Sequence, residues 1–217
     1  MTGYIVKWRY RGILKYEIEK FFYRKKFIHQ FVNYNLLALI IIENSIKNIL
    51  TTIGIDLSIN STGLCITSDS RKPKYYIITS KMSKRQKAFE HNRITIIEYK
   101  KTDNLSDNIR EIGKVISSVL DDNPNIDNAV IEDTALNASG RVVDLGILNG
   151  YVRALLDMKG IPFTTVRPTS WKKQMIGNGF ADKAQTIAAW KLLDPIDFKG
   201  IKIDDAVDSY FLSLYKE

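Results

Sequence analysis

The segment Ile53-Gly54-Ile55-Asp56-Leu57-Ser58, resuming at Ser61-Thr62-Gly63-Leu64-Cys65-Ile66, constrains this chain more than any other. It reads as a buried strand that ends in an aspartate, a tight polar turn, and a second strand running back. The first run is apolar enough for a central strand, and the Ser/Asn/Gly cluster behind it supplies the turn. A carboxylate held in the middle of a sheet is costly unless something positive faces it. Asp56 therefore asks for a metal ion, a magnesium-bound phosphate or a basic partner.

Composition narrows the choice. One cysteine, Cys65, excludes a disulfide framework and a cysteine-based zinc site, and it suits a reducing compartment. With His29 and His91 as the two histidines, a bound metal would take oxygen ligands, which favours magnesium or manganese. The longest apolar run, Leu36 to Ile42, is far too short to span a bilayer. A formal charge of +8 makes a polyanionic partner plausible. Residues 1–50 hold nine Lys/Arg against three acids, so the remaining body is nearly balanced at +2. A nucleic acid bound by that body would meet local clusters of charge.

The chain divides by pattern into residues 1–50 and 51–217. The first part is basic and aromatic from Trp8 to Tyr23 and has helical apolar spacing from Phe27 to Leu50, which predicts an accessory helical extension. A DNA- or membrane-surface-binding arm is the sharper alternative. A mitochondrial transit peptide has weak support, because Glu17 and Glu19 intervene and no serine precedes Ser45. From Thr51 the pattern predicts strands at 51–56, 62–67, 75–79, 94–99, 128–132 and 162–166. Helices are predicted at 103–120, 142–159, 168–176, 182–193 and 204–215. An opening antiparallel pair followed by alternating strands and helices indicates an α/β fold, a mixed central sheet flanked by helices. Lys81 to Arg93 reads as a loop whose Lys84, Arg85, Lys87, Phe89 and His91 would suit a DNA arm.

Three acidic stretches stand out. Glu132 ends the strand Ala129-Val130-Ile131 as Asp56 ends its own, so the two carboxylates converge if those strands are neighbours. In the last helix, Val207, Tyr210, Phe211 and Leu214 form an apolar stripe, and Asp205 and Asp208, three residues apart, face one point. Capping and the helix dipole would also explain an aspartate at position 204 or 205. Four carboxylates from two strand ends and one helix can hold two divalent cations about 3.5–4 Å apart, which can activate water and stabilise the leaving oxygen of a phosphodiester.

Gly54-Ile55-Asp56, Ile131-Glu132, the loop Gly177-Asn178-Gly179-Phe180-Ala181-Asp182-Lys183-Ala184-Gln185, and Asp205-Ala206-Val207-Asp208 occur in an order that resembles the RuvC-like Holliday junction resolvases of phage or viral type. The glycine loop with Ala-Asp-Lys-Ala-Gln is the most specific element, and the resemblance covers residues 51–217. It implies the ribonuclease H-like fold, a homodimer, and magnesium- or manganese-dependent cleavage of branched DNA with two ions per site. It makes Asp56, Glu132, Asp205 and Asp208 the metal ligands, with Asp204 the substitute if the register is off by one. Lys183 matches a lysine near the scissile phosphate and Lys172 a second basic position on DNA; Lys173 and Arg167 would add phosphate contacts. Where some resolvases carry an aromatic wedge after the strand glutamate, this chain has Ala135 and Leu136.

The expected function is thus a crossover junction endodeoxyribonuclease acting in DNA recombination and repair, in the cytoplasm, with a mitochondrial address left open. The helix at 142–158, through Leu145, Leu148, Val152 and Leu155, is the candidate dimer element, with core packing as its alternative. Three other readings stay open: an actin-like ATPase fragment, a catalytically silent junction-binding protein, and ribonuclease H activity on an RNA–DNA hybrid. The first needs a second phosphate turn that the sequence does not offer.

Overall fold

The computed structural model describes residues 50–133, 142–198 and 201–216, all within one unit, Ile49–Glu217. The expectations for residues 1–50, apart from Leu50, and for Ala135 and Leu136 lie outside the described residues. Strands β1 (Thr52–Asp56), β2 (Ser61–Ser68), β3 (Arg71–Thr79), β4 (Ile94–Glu98), β5 (Asn128–Glu132) and β6 (Phe163–Val166) form one sheet in the order β4-β3-β2-β1-β5-β6. β1, β2 and β3 form an antiparallel meander, while β4 joins β3, β5 joins β1 and β6 joins β5 in parallel. Helices are α1 (Lys84–Lys87), α2 (Leu105–Asp121), α3 (Val142–Met158), α4 (Pro168–Ile176), α5 (Lys183–Leu193) and α6 (Asp204–Leu214). The mixed sheet with helices on both faces is the α/β arrangement anticipated from the strand pattern.

The alternation of side chains along each strand sorts the core into two layers. Ile53, Ile55, Leu64, Ile66, Ala129 and Ile131 point to one face, against Ile109, Ile112 and Ile116 of α2 and Leu148, Val152 and Leu156 of α3. Cys65, Tyr75, Ile77, Val130 and Val166 point to the other, against Trp171 of α4, Trp190 of α5 and the stripe Val207, Tyr210 and Phe211 of α6. α2 begins where Asn104 Oδ1 accepts the Ser106 and Asp107 N–H groups, which sets its start one or two residues later than the apolar spacing implies.

Two expectations change. The 81–93 segment is not wholly a loop: Ser83 and Gln86 build a reciprocal capping box that starts the single turn of α1. β3 begins at Arg71, before the expected start, and carries Pro73 in its first half. A register shift between Ile66 and Ser68 relaxes the pairing there, and the ladder to β4 starts only at Tyr75, so the missing proline N–H costs nothing. Among the described residues, no helix is long and apolar enough to cross a membrane.

Candidate active site

The acids meet because of strand order. Ile55 pairs with Ile131 in the parallel β1–β5 ladder, so Asp56 and Glu132 leave adjacent strands at the same end of the sheet. Both lie two residues along from positions on the α6 face, Gly54 and Val130, and so project to that face themselves. α6 reaches them because two glycines let its backbone lie on the sheet. A Cβ on Gly54 would stand 2.0 Å from the Ser209 carbonyl oxygen and 2.5 Å from the Ser213 nitrogen; one on Gly63 would stand 2.0 Å from the Asp205 carbonyl oxygen. Gly63 is the β2 partner of Asp56. The first turn of α6 is thereby pressed against the strand beside Asp56, with Asp205 and Asp208 on its half-buried side.

The charges feel one another. Burial raises the Asp56 carboxyl well above its ordinary range, and Glu132, Asp208 and Asp205 raise it further, with Lys183 opposing. Asp208 is pushed up to about 7, first by burial, then by Glu132 and Asp205, against the pull of Lys172 and Lys183. Burial also raises Glu132, offset by a hydrogen bond from Trp171 and by the charge of Lys172. Two of the acids have neutral donors: Trp171 Nε1–H donates to Glu132 Oε2 at 2.8 Å, and the Ser61 hydroxyl donates to Asp205 Oδ2. Among the described residues, no three ligating side chains have closed to coordination distance. The donor set nonetheless fits a hard divalent cation: oxygen ligands, mutually repelling, in a partly desolvated cleft where neutralisation is favoured.

Asp204 is turned elsewhere, its Oδ2 accepting from Lys183 Nζ at 2.8 Å. That ion pair is the first cause of a raised Lys183 ammonium, and it keeps the lysine beside the cluster. Lys172 is half-buried, 5.5 Å from the Trp171 ring centre, and donates to the Ala181 carbonyl at 3.0 Å. Arg167, at the N-terminal cap of α4, and Lys173, within that helix, are exposed. Lys84 and Arg85 are exposed on α1, toward the β3–β4 edge and away from β1 and β5. The structure thus gathers Asp56, Glu132, Asp205, Asp208, Lys172 and Lys183, and leaves Lys84 and Arg85 apart.

Sequence reasoning missed Trp171, Ser61, Gly54 and Gly63. Ser61 and the glycines lie inside the motif around Asp56, but their roles come from α6, some 145 residues away. Trp171 had a helical, apolar position as its signal, and nothing in that pattern pairs an indole with Glu132.

No family model matches the chain. Over 155 residues it is 26% identical to the crossover junction endodeoxyribonuclease RuvC of Rickettsia massiliae (strain Mtu5), which covers 71% of this chain and 88% of the relative. It shares its fold with RuvC of Thermus thermophilus at a TM-score of 0.55 and 15% identity, over 76% of this chain and 92% of that one. The T. thermophilus RuvC structure in complex with a Holliday junction substrate matches at a TM-score of 0.56 and 15% identity, over 76% and 91%. The fold is that of the T. thermophilus RuvC structures. In sequence the chain is similar to RuvC.

Proposed function

We propose that this chain is a divalent-metal-dependent, structure-selective endonuclease that resolves four-way DNA junctions by hydrolysing phosphodiester bonds. One observation carries the reading: β1, β5 and α6 bring four carboxylates to one end of the sheet, where the neighbouring acids raise the proton affinity of Asp56 and Asp208. The relatedness to RuvC supports the choice of branched DNA as substrate.

Asp56, Glu132, Asp205 and Asp208 would hold magnesium or manganese, two ions per site. Once bound, such cations supply the charge that activates water and stabilises the leaving oxygen. The other groups work around them. Trp171 orients Glu132, and Ser61 orients Asp205, so each carboxylate keeps one oxygen directed and the other free. Lys183, tethered by Asp204, meets the scissile phosphate; Arg167, Lys172 and Lys173 hold flanking phosphates, and Lys84 and Arg85 reach a more distant arm. Binding should therefore fall steeply with salt.

Paired nicks require two sites related by a two-fold axis, hence a homodimer. The face first expected for it does not serve: Leu148 and Val152 are in the core, and Leu145 and Leu155 pack against it. The outer face of α3 presents Val143, Ile147 and Tyr151, 72%, 50% and 42% exposed, with Gly146 and Gly150 between them. That stripe is the candidate dimer surface. The reducing environment suited to buried Cys65 agrees with a cytoplasmic address.

A labelled immobile four-way junction with and without magnesium tests the reading, beside a linear duplex and an RNA–DNA hybrid. Metal-dependent paired nicking of the junction is expected. Junction binding with no cleavage in either metal would leave a silent junction-binding protein. Preferential cutting of the hybrid would make it a ribonuclease H. Nucleotide binding in a calorimeter would revive the actin-like ATPase reading.

A further inference from the structure

Phe180 is 89% exposed, the highest value for a large apolar side chain among the described residues. Single exposed apolar residues are common on protein surfaces. What distinguishes this one is how firmly its backbone is held and where it stands. Gly177, at φ 82°, ends α4 in the left-handed conformation that glycine tolerates. Asn178 Oδ1 then accepts the Phe180 N–H at 3.0 Å, and the Asn178 carbonyl accepts the Ala181 N–H at 3.1 Å. A Cβ on Gly179 would come within 2.8 Å of the Thr169 carbonyl oxygen, so the turn lies hard against α4. On the far side Ala181 is buried, its carbonyl takes the Lys172 ammonium, and Asp182 with Gln185 forms the capping box that starts α5. A clamped turn thus presents an aromatic ring to solvent.

The turn also borders the acidic centre. Lys172 and Lys183, on either side of it in the chain, are anchored to that centre: Trp171, next to Lys172, donates to Glu132 at 2.8 Å, and Lys183 pairs at 2.8 Å with Asp204, next to Asp205. A strand whose phosphates lie on these lysines would bring its bases past the ring. Basic groups interleaved with an exposed aromatic fit single-stranded nucleic acid, because a ring stacks on any base whose face is free. An unbroken duplex offers no such face. A branch point, where stacking is interrupted, does.

We propose that Phe180 stacks on an unpaired or unstacked base of the bound DNA and so positions the branch relative to the carboxylates, making it a residue that discriminates branched DNA from duplex. The inference rests on the nuclease reading above for its substrate, and the test keeps the two apart. Full-length wild type, Phe180→Ala and Phe180→Trp are titrated, in calcium, with three probes: an immobile four-way junction carrying 2-aminopurine beside the branch, a duplex of equal length, and a single strand with 2-aminopurine. Phe180→Ala should lose roughly 10-fold or more in junction affinity, since one base–aromatic stack corresponds to about 5- to 150-fold. Its duplex affinity should stay within about twofold of wild type, and the fluorescence change at the branch should vanish. Phe180→Trp should restore both, and melting temperatures should match because the ring is exposed. Equal losses on junction and duplex, or an unchanged fluorescence response in Phe180→Ala, overturn the proposal. If wild type shows no preference for the junction, the resolvase reading fails by itself. Phe180-dependent quenching on the single strand would then still uphold the stacking role, and its absence there would reject it.

Discussion

At the scale of single residues, charge at Asp56 has opposite effects on stability and on chemistry. Burial and three acidic neighbours disfavour its ionised form. Asp56→Asn removes that strain, so the metal-free variant should melt at a temperature equal to or above wild type in calorimetry. The same change should reduce magnesium-dependent junction cleavage by at least about 100-fold, with binding retained. Cleavage at the wild-type rate would remove Asp56 from the site. Trp171 is subtler. Its ring stacks on Phe211 at 5.9 Å, and phenylalanine would keep that packing while deleting the N–H that serves Glu132. Trp171→Phe should weaken metal affinity or turnover by about 10–100-fold, the usual effect of losing an orienting hydrogen bond behind a ligand. A metal titration monitored by activity would show the shift.

Among the elements, α6 and α3 matter most. The closeness of α6 to β1 and β2 depends on Gly54 and Gly63, where an added methyl group would meet backbone that cannot rotate away. Gly63→Ala should cost about 1–3 kcal/mol, seen as a melting temperature several degrees lower, and should displace Asp205 from Asp56. An unchanged melt with full activity would show that α6 does not dock as described. For α3, Val143→Glu with Ile147→Glu places charge on the exposed stripe without touching the core residues Leu148, Val152 and Leu156. The expected result in sedimentation is a folded monomer that loses paired nicking. A dimer that survives the double change would assign the interface elsewhere.

For the whole molecule, the acidic centre couples stability to pH and to cations. Asp208 has an ordinary value of 3.8 and stands near 7 in the folded protein. A carboxyl raised on folding contributes its stability below the unfolded value, and that contribution is lost as pH rises through the folded one. The metal-free protein should therefore lose melting temperature between about pH 4 and pH 7, and Asp56 and Glu132, shifted the same way, add to the loss. Magnesium or manganese, binding only the folded site, should restore more stability at pH 7.5 than at pH 5. A melting temperature that climbs across this range without metal would contradict the electrostatics described.

Much of this was legible without coordinates. Short apolar runs marked all six strands, the i, i+3, i+4 stripe of the last helix located its buried face, and the glycine loop of 177–185 announced a turn between two helices. These signals are local: each depends on residues within one element. The acids themselves could be named, because a strand that ends in a carboxylate is unusual wherever it occurs. Their convergence required knowing that β5 lies beside β1, a pairing of residues 76 apart that no spacing encodes. The same holds for the indole on Glu132, the hydroxyl on Asp205, and the ion pair of Asp204 with Lys183. Sequence alone determined which side chains were available and which elements carried them. Tertiary structure decided which shared a cleft, because contacts between distant segments depend on sheet order and on how closely two backbones can approach.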